Sequence, residues 1–427
     1  MKLLFLHPNF PGQFKNLAAA FAAKAGYQVV GVGHRSSEWR SVPGVKTYHY
    51  GPLPAFEAPP YMPVDQFAQQ VRRGHAVAAV LRDLAQDGFS PDVVIAHPGW
   101  GDAMFLHDVF PRARLIAFLE FYYQHSGTDL DFDPEFPPSP NETEFLRLRN
   151  LPSVMAYEVA AAAVSPTAWQ ASLFPRALRC GITVHHEGVD TNAVCPDPAA
   201  CVTMPSGRVL TRHDEVVTYV ARGLEPMRGF HSFMRALPEI QRQRPDVVTI
   251  IVGSDEVHYG RRPQGKRGWR EVMLAEVGAQ LDMERIWFAG RLGYGEYLNV
   301  LRVSSVHVYL TYPFVLSWSL VEAMAAGCAI VGSNTAPVAE VITDGENGVL
   351  CDFFHRERLA EMVSTLVGDR ELRLQLGARA RLDAVEKFDF RRVALLGYES
   401  LIERALGAAP DTGANQPAAR GRRAANG

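Results

Sequence analysis

The sequence predicts an α/β protein built from two parallel-sheet units that face each other across a cleft. Three observations carry that expectation. Short apolar runs alternate with helical patterns along almost the whole chain, the signature of parallel strands joined by right-handed crossovers. The alternation stops over residues 190–212, where Pro196, Pro198, Pro205 and Gly207 break any period, and then restarts. At 427 residues the chain exceeds what one compact core organises, so two domains are the natural division.

In chain order, residues 3–7 read as a strand, 13–25 as a helix and 28–32 as a second strand. Residues 66–84 form a long helical pattern, 92–96 a strand, 103–110 a helix and 115–119 a strand. A strand at 161–165 leads into a helix capped near Ser165 or Thr167. These make a first unit over 1–190, with 191–212 as linker. The second unit, 213–385, repeats the pattern: strands at 216–221, 247–252 and 285–288, helices at 231–242, 267–279 and 295–302. A helix over 386–407 is expected to pack back on the first unit. The Ala/Gly/Pro/Asn-rich end, 408–427, is expected to be disordered, with Arg420, Arg422 and Arg423 as a weak attraction to anionic lipid at most.

Composition narrows the partners. A net charge of −3 supplies no field for nucleic acid. The five cysteines lie far apart, form no metal-ligand spacing and read as reduced thiols of a cytoplasmic protein. Residues 1–6 are too short an apolar run for a signal peptide. Residues 303–321 lack Lys, Arg, Asp and Glu, but Ser304, Ser305, His307, Thr311, Pro313, Ser317 and Ser319 make them too polar to span a bilayer. A buried parallel strand followed by a loop explains them better.

The most informative stretch is 311–340. A strand at 307–310 runs into a Pro-containing loop, a helical run at 318–324, the stop at Gly327 and a strand at 328–332. Strand, loop and helix N-terminus bind anions, because free backbone N–H groups and the helix dipole point at the ligand. Ser317, Trp318 and Ser319 stand at that N-terminus, Phe314 lies in the loop, and Glu322 sits about one turn inside, where it can face a ligand hydroxyl.

Other strand ends carry site-like residues. Arg222 and Arg228 straddle a strand end and a helix start, where guanidinium groups suit a diphosphate. Gly12 and Gln13 follow the first strand in His-Pro-Asn-Phe-Pro-Gly-Gln-Phe; Gly12 either makes a Pro-Gly turn into the helix or floors a sugar or phosphate site. His97 and Trp100 end another strand, the aromatic able to stack on a sugar face. Glu120 stands among aromatics, where it can act as an acid, orient a hydroxyl or pair with an arginine. Gly253 closes the strand at 247–252, and the basic segment that follows (Arg261, Arg262, Lys266, Arg267, Arg270) is either a solvated loop or a contact for an anionic acceptor. The Asp129-Leu130-Asp131-Phe132-Asp133-Pro134 run reads as an acidic surface loop rather than a calcium loop, because Pro134 stands where a turn glycine is needed. No metal ligand is expected.

Together these segments resemble the retaining glycosyltransferases of family 4, which have the GT-B fold of two Rossmann-like domains. Ala221-Arg222-Gly223 with Arg228-Gly229 is similar to the family's Gly-Arg…Lys-Gly segment, with Arg228 in place of Lys. Phe288-Ala289-Gly290-Arg291-Leu292 resembles the segment along the nucleotide base. Glu340-Val341-Ile342 with Gly345-Glu346-Asn347-Gly348 resembles the closing segment, and His186-Glu187-Gly188-Val189-Asp190 the interdomain one. The His7–Phe14 run and Ala96-His97-Pro98-Gly99-Trp100-Gly101 resemble a bacterial subgroup.

The resemblance implies a nucleoside-diphosphate sugar as donor, a glycan or lipid-linked acceptor, no cofactor or metal, and work in the cytoplasm or at the inner membrane face. It implies Arg222, Arg228, Gly253, Arg291, Leu292, Phe314, Ser317, Trp318, Ser319 and Glu322 on the donor side, with Glu322 on the ribose. Gly12, Gln13, His97, Trp100 and Glu120 fall on the acceptor side, and Arg222, Arg228, Glu322 and His97 carry the chemistry. Phe314 departs from the family, which usually places a Glu there against the donor sugar. A non-catalytic nucleotide-sugar binder and a GT-B epimerase are the alternatives. A phosphorylase would need a lysine-bound pyridoxal phosphate, and a dehydrogenase the missing Gly-x-Gly-x-x-Gly fingerprint.

Overall fold

The computed structural model describes residues 1–35, 41–53, 62–265 and 268–407. The expectations for the 408–427 tail and for Lys266 and Arg267 lie outside them. The first sheet contains β1 (Lys2–Leu6), β2 (Gln28–His34), β3 (Val45–Tyr50), β4 (Val93–Ala96), β5 (Arg114–Phe118), β6 (Ala162–Ser165) and β7 (Ile182–Val184). They are all parallel, in the order β3-β2-β1-β4-β5-β6-β7. Next come β8 (Cys201–Thr203) and β9 (Val209–Thr211), a small antiparallel pair. The second sheet contains β10 (Val216–Gly223), β11 (Val248–Ser254), β12 (Ile286–Gly290), β13 (Val306–Tyr309), β14 (Ile330–Ser333) and β15 (Val349–Cys351). It too is all parallel, in the order β12-β11-β10-β13-β14-β15. Two GT-B-type, Rossmann-like sheets therefore form, as the alternation predicts.

Central strands are apolar on both faces because helices cover both: Leu3, Leu4, Phe5 and Leu6 of β1 are all fully buried. The sequence reading missed β3, β7 and β15, which are short or lie at sheet edges. It also missed the helix Pro140–Val159, whose start was marked: Glu142 accepts from the Ser139 backbone N–H at 2.6 Å. Pro152 inside that helix hides its period. The 191–212 segment, read as linker, holds the β8–β9 pair. The helix expected over 13–25 is a short 3-10 turn, Gly12–Phe14, and then Lys15–Ala22.

Two crossings join the units. The Val189 N–H donates to the Phe388 carbonyl at 2.9 Å, and the Phe390 N–H to the Val189 carbonyl at 2.8 Å. Gly188 must be glycine there: φ is +73°, and a Cβ would fall 2.6 Å from Ala394 Cβ. After that crossing the helix Leu395–Gly407 buries Tyr398, Leu401, Ile402 and Ala405 against Phe5, Ile95, Ile116 and Phe118 of the first sheet. Among the described residues no helix is long and apolar enough to cross a membrane.

Candidate active site in the interdomain cleft

Both sheets point the carboxyl ends of their strands into one cleft, where open α/β sheets bind ligands. In the second unit β10 ends at Gly223, and a turn, Pro226–Arg228, leads into the helix Phe230–Gln243. Arg228 is only 7% exposed. Its Nη1 donates to Thr311 Oγ1 and to the Val315 carbonyl, each at 3.0 Å, and its guanidinium lies 5.4 Å from the ring centroids of both Tyr259 and Phe314. Among the described residues it forms no ion pair. A buried cation without a counter-ion is unfavourable, so an anionic ligand would relieve it. Arg222 is exposed at the end of β10, and its charge helps hold the His7 and His258 imidazoles below their usual pKa, burial being the larger cause for both.

The helix Trp318–Ala325 begins at the end of the β13 loop. Its N–H groups are less free than the sequence reading has them. Tyr309 Oη accepts from the Ser317 N–H at 2.9 Å, and the Ser317 side chain accepts from the Ser319 N–H at 3.3 Å. The Trp318 N–H, which has no acceptor among the described residues, the hydroxyls of Ser317 and Ser319 (3.0 Å apart) and the dipole are what this end offers an anion. Glu322 accepts from Tyr294 Oη at 2.8 Å and Tyr297 Oη at 2.7 Å. Burial pushes its carboxyl up, with the two tyrosines and Lys15 pulling partly back. Beside it lies a cavity of about 490 Å³ lined by Gly12, Lys15, Asp190, Tyr294, Trp318 and Glu322, so both units contribute to it. Trp318 is fixed by its Nε1–H, which donates to Glu187 Oε1 at 2.6 Å.

In the first unit His97 Nε2 stands 3.1 Å from Glu120 Oε2, and the Gln13 amide donates to the other oxygen. Burial pushes the Glu120 carboxyl up, but hydrogen bonds from His97 and Gln13 and the charges of His97 and Arg228 outweigh it, leaving it below the usual range. Arg228 thus acts on Glu120 from the opposite sheet. The His7 ring packs edge-on to His97 at 5.4 Å. Gly12 is required by that ring: φ is +46° and a Cβ would meet His7 Cε1 at 2.6 Å. The glycine therefore makes the turn and also lines the cavity, so the two sequence readings of it are compatible. Trp100 is exposed, with the Arg73 guanidinium 5.7 Å from its ring centroid.

The structure brings Arg222, Arg228, Gln13, His97 and Glu120 to one cleft, and Gly12, Trp318 and Glu322 to the adjoining cavity. Gly253, Arg291 and Leu292 line neither space. Gly253 serves backbone packing, since a Cβ would sit 2.8 Å from the Ala221 carbonyl oxygen. Arg291 is exposed and paired with Glu256 at 2.7 Å, and Leu292 packs beneath β12. Phe314 is buried against Phe121 of the first unit (4.9 Å between ring centroids) and Tyr259 (5.3 Å), so it is an interdomain contact before it is a pocket wall. Sequence reasoning missed His7, Lys15, Glu187, Tyr259, Tyr294 and Tyr297. Tyr294 and Tyr297 carried a signal, a three-residue spacing that puts both on one helix face.

The Asp129–Pro134 run is only in part the surface loop expected: Asp131 and Pro134 are exposed, but Phe132 and Asp133 turn into the second unit. Asp133 is buried, accepts from Tyr312 Oη at 2.6 Å and lies 3.1 Å from His231 Nε2, both in the second unit. Phe132 packs on Tyr312 and Phe353, and Phe136 on His231 and Trp269. Asp133, Glu135 and His231 place ligand atoms within 4.8 Å of one another. Tyr312 and Arg235 already engage the two carboxylates, however, and the donor set works as a latch between the units.

Two Rossmann-like units, one presenting guanidiniums that form no ion pair among the described residues and the other a His–Glu pair, make a GT-B framework. Residues 25–194 match the model of the glycosyl transferase family 4 group, and residues 208–383 that of the glycosyl transferases group 1. Over these two regions the chain is similar to the family 4 and group 1 glycosyltransferases; the His7–Phe14 segment precedes the matched regions. Similar proteins include the spore coat protein SA of Bacillus subtilis, 30% identical over 182 residues (42% of this chain, 46% of the relative). Another is the phosphatidyl-myo-inositol mannosyltransferase of Mycolicibacterium smegmatis, 27% identical over 188 residues (43% and 44%). The chain spans about half the length of the curated relatives it matches. Sucrose-phosphate synthase of Thermosynechococcus elongatus shares the fold with a TM-score of 0.72 at 17% identity, over 96% of this chain and all of that one. Anabaena HepE, solved with UDP and glucose, gives 0.66 at 17% identity, over 94% and 100%.

Proposed function

We propose that this protein transfers a sugar from a nucleoside-diphosphate sugar to an acceptor hydroxyl, with retention at the anomeric carbon and without a metal ion. The observation that carries this is Arg228, a buried guanidinium with no ion pair among the described residues, set in the cleft opposite Glu120. As the anomeric C–O bond breaks, negative charge develops on the leaving diphosphate. Arg228, Arg222 and the Ser317–Ser319 end of its helix stabilise it, which is the charge a metal would otherwise supply. Glu322 takes the ribose hydroxyls. His97 and Glu120 orient the acceptor hydroxyl, whose proton passes to a donor phosphate oxygen on the same face while the new glycosidic bond forms. The complex of HepE with UDP makes uridine donors the first to try.

The test is Arg228→Ala. Nucleotide release with the preferred donor should fall by ~10²–10³, the usual cost of one such donor group. Turnover like that of the unaltered protein would sink the assignment. Activity should also persist in EDTA; a loss that magnesium restores would refute the metal-free site. Phe314 favours a second reading, a nucleotide-sugar binder without catalysis, because it fills the family's sugar-contacting position with a ring packed on Phe121. That reading predicts donor binding by calorimetry and no nucleotide release with any acceptor.

A further inference from the structure

A second cavity, of about 520 Å³, opens beside the His97–Glu120 pair. Its walls are two helices, Met62–Gln86 and Pro140–Val159. The first presents Gln66, Gln70 and Arg73, spaced four and three residues apart on one face. The second presents Phe145, Arg149 and Ser153 in the same way. Tyr259 covers it from the second unit, and Trp100 adds an exposed ring.

Two features of this lining call for a ligand. Among the described residues, Arg73 Nε and Gln70 Oε1 are buried with no hydrogen-bond partner. Neither Arg73 nor Arg149 has a carboxylate within ion-pair distance among the described residues, although the charge of Arg73 acts on buried Asp102 and that of Arg149 on Asp129. Both are held in place: Arg73 lies over Trp100, and Arg149 donates to Tyr123 Oη at 2.7 Å while lying 3.5 Å above that ring. Glu142, the carboxylate among the lining residues on the second helix, is taken up by Arg261. Two positioned guanidiniums, side-chain amides and ring faces together match one chemistry: a polyhydroxylated ring that carries a phosphate.

We propose that this cavity is the acceptor subsite and that it selects a phosphorylated sugar or polyol, with Arg73 and Arg149 reading the phosphate and Trp100 or Tyr259 covering the ring. The assignment rests on the glycosyltransferase reading and adds the substrate class. A ring phosphate could be free or belong to a lipid headgroup, and the test separates the two.

Calorimetry on the full chain would compare glucose with glucose 6-phosphate, myo-inositol with myo-inositol 1-phosphate, and phosphatidylcholine vesicles with vesicles containing phosphatidylinositol. At least one phosphorylated probe should bind roughly tenfold or more tighter than its neutral counterpart, the scale of a charge-assisted hydrogen bond. A soluble winner assigns a free phosphate and a vesicle winner a headgroup. The double variant Arg73→Gln, Arg149→Gln should lose the preference, and Arg73→Lys, Arg149→Lys should keep part of it, which separates lost charge from lost fold. No preference in the unaltered protein, or a preference that survives the Gln pair, overturns the proposal. UDP and GDP binding, read in parallel, tests the glycosyltransferase reading separately: its absence would sink that reading, and a missing phosphate preference alone would sink this one.

Discussion

The two sheets wind alike around their first strands, yet their strand ends meet the cleft with opposite electrostatics. In the second sheet the cations come without partners: Arg222 is exposed and Arg228 is buried, and neither has an ion pair among the described residues. In the first sheet the groups come already matched, with His97 and Gln13 on the two oxygens of Glu120 and the His7 ring packed behind. An unmatched cation is poised for a ligand that brings its own negative charge, and a matched pair for one that is neutral where it meets the pair and needs orienting. Under the proposed transfer reaction this difference would divide the labour, with the diphosphate on the second unit and the acceptor hydroxyl on the first.

Ways to break that division follow in order of expected size. Arg228→Ala should cost most and should weaken nucleotide binding as well as turnover. Glu120→Gln should slow transfer by ~10²-fold, the cost of misplacing the acceptor hydroxyl that it orients, with a smaller change in nucleotide affinity. An equal loss of nucleotide affinity would show that the two halves do not divide the work. Because Glu120 is held below the usual carboxylate range, turnover should keep its Glu120-dependent part until the pH falls beneath that range. A pH–rate profile checks this, and a loss already complete near pH 6 would contradict it.

Glu322→Ala should raise the donor KM by about ten- to a hundredfold, the worth of a charged hydrogen bond, with less effect on the acceptor KM. An effect on acceptor KM alone would move Glu322 out of the nucleotide site. The smallest effect is on stability. Burial raises the Asp133 carboxyl, and the bonds to His231 and Tyr312 more than offset it, so its folded pKa is depressed. Its contribution is therefore present above the unfolded pKa of about 4 and is lost as pH falls through the lower folded value. Asp133→Asn should lower stability by about 1.5–3 kcal/mol at neutral pH, read by thermal unfolding, and the difference should shrink in acid. A constant difference down to pH 2 would show that the latch does not depend on the carboxylate.

The sequence by itself determined the two-unit α/β fold. Buried parallel strands need long apolar runs, and crossovers need helices between them, so the alternation is written locally along the chain. Motif positions at strand ends were legible for the same reason: Arg222, Arg228, His97, Glu120 and Glu322 each stand where a predicted strand stops or a predicted helix starts. Edge strands and the Pro152-broken helix were not, because a half-exposed or interrupted element has no unbroken period. Only the tertiary structure decided which of these residues share a space. Asp133 meets Tyr312 179 residues away, and Phe121 meets Phe314 across the cleft. It also showed that Tyr309 takes the Ser317 N–H, and that two helices distant in sequence enclose a cavity with two arginines that form no ion pair among the described residues. Such facts depend on burial and on partners far along the chain, and both come into being only when the two sheets close on each other.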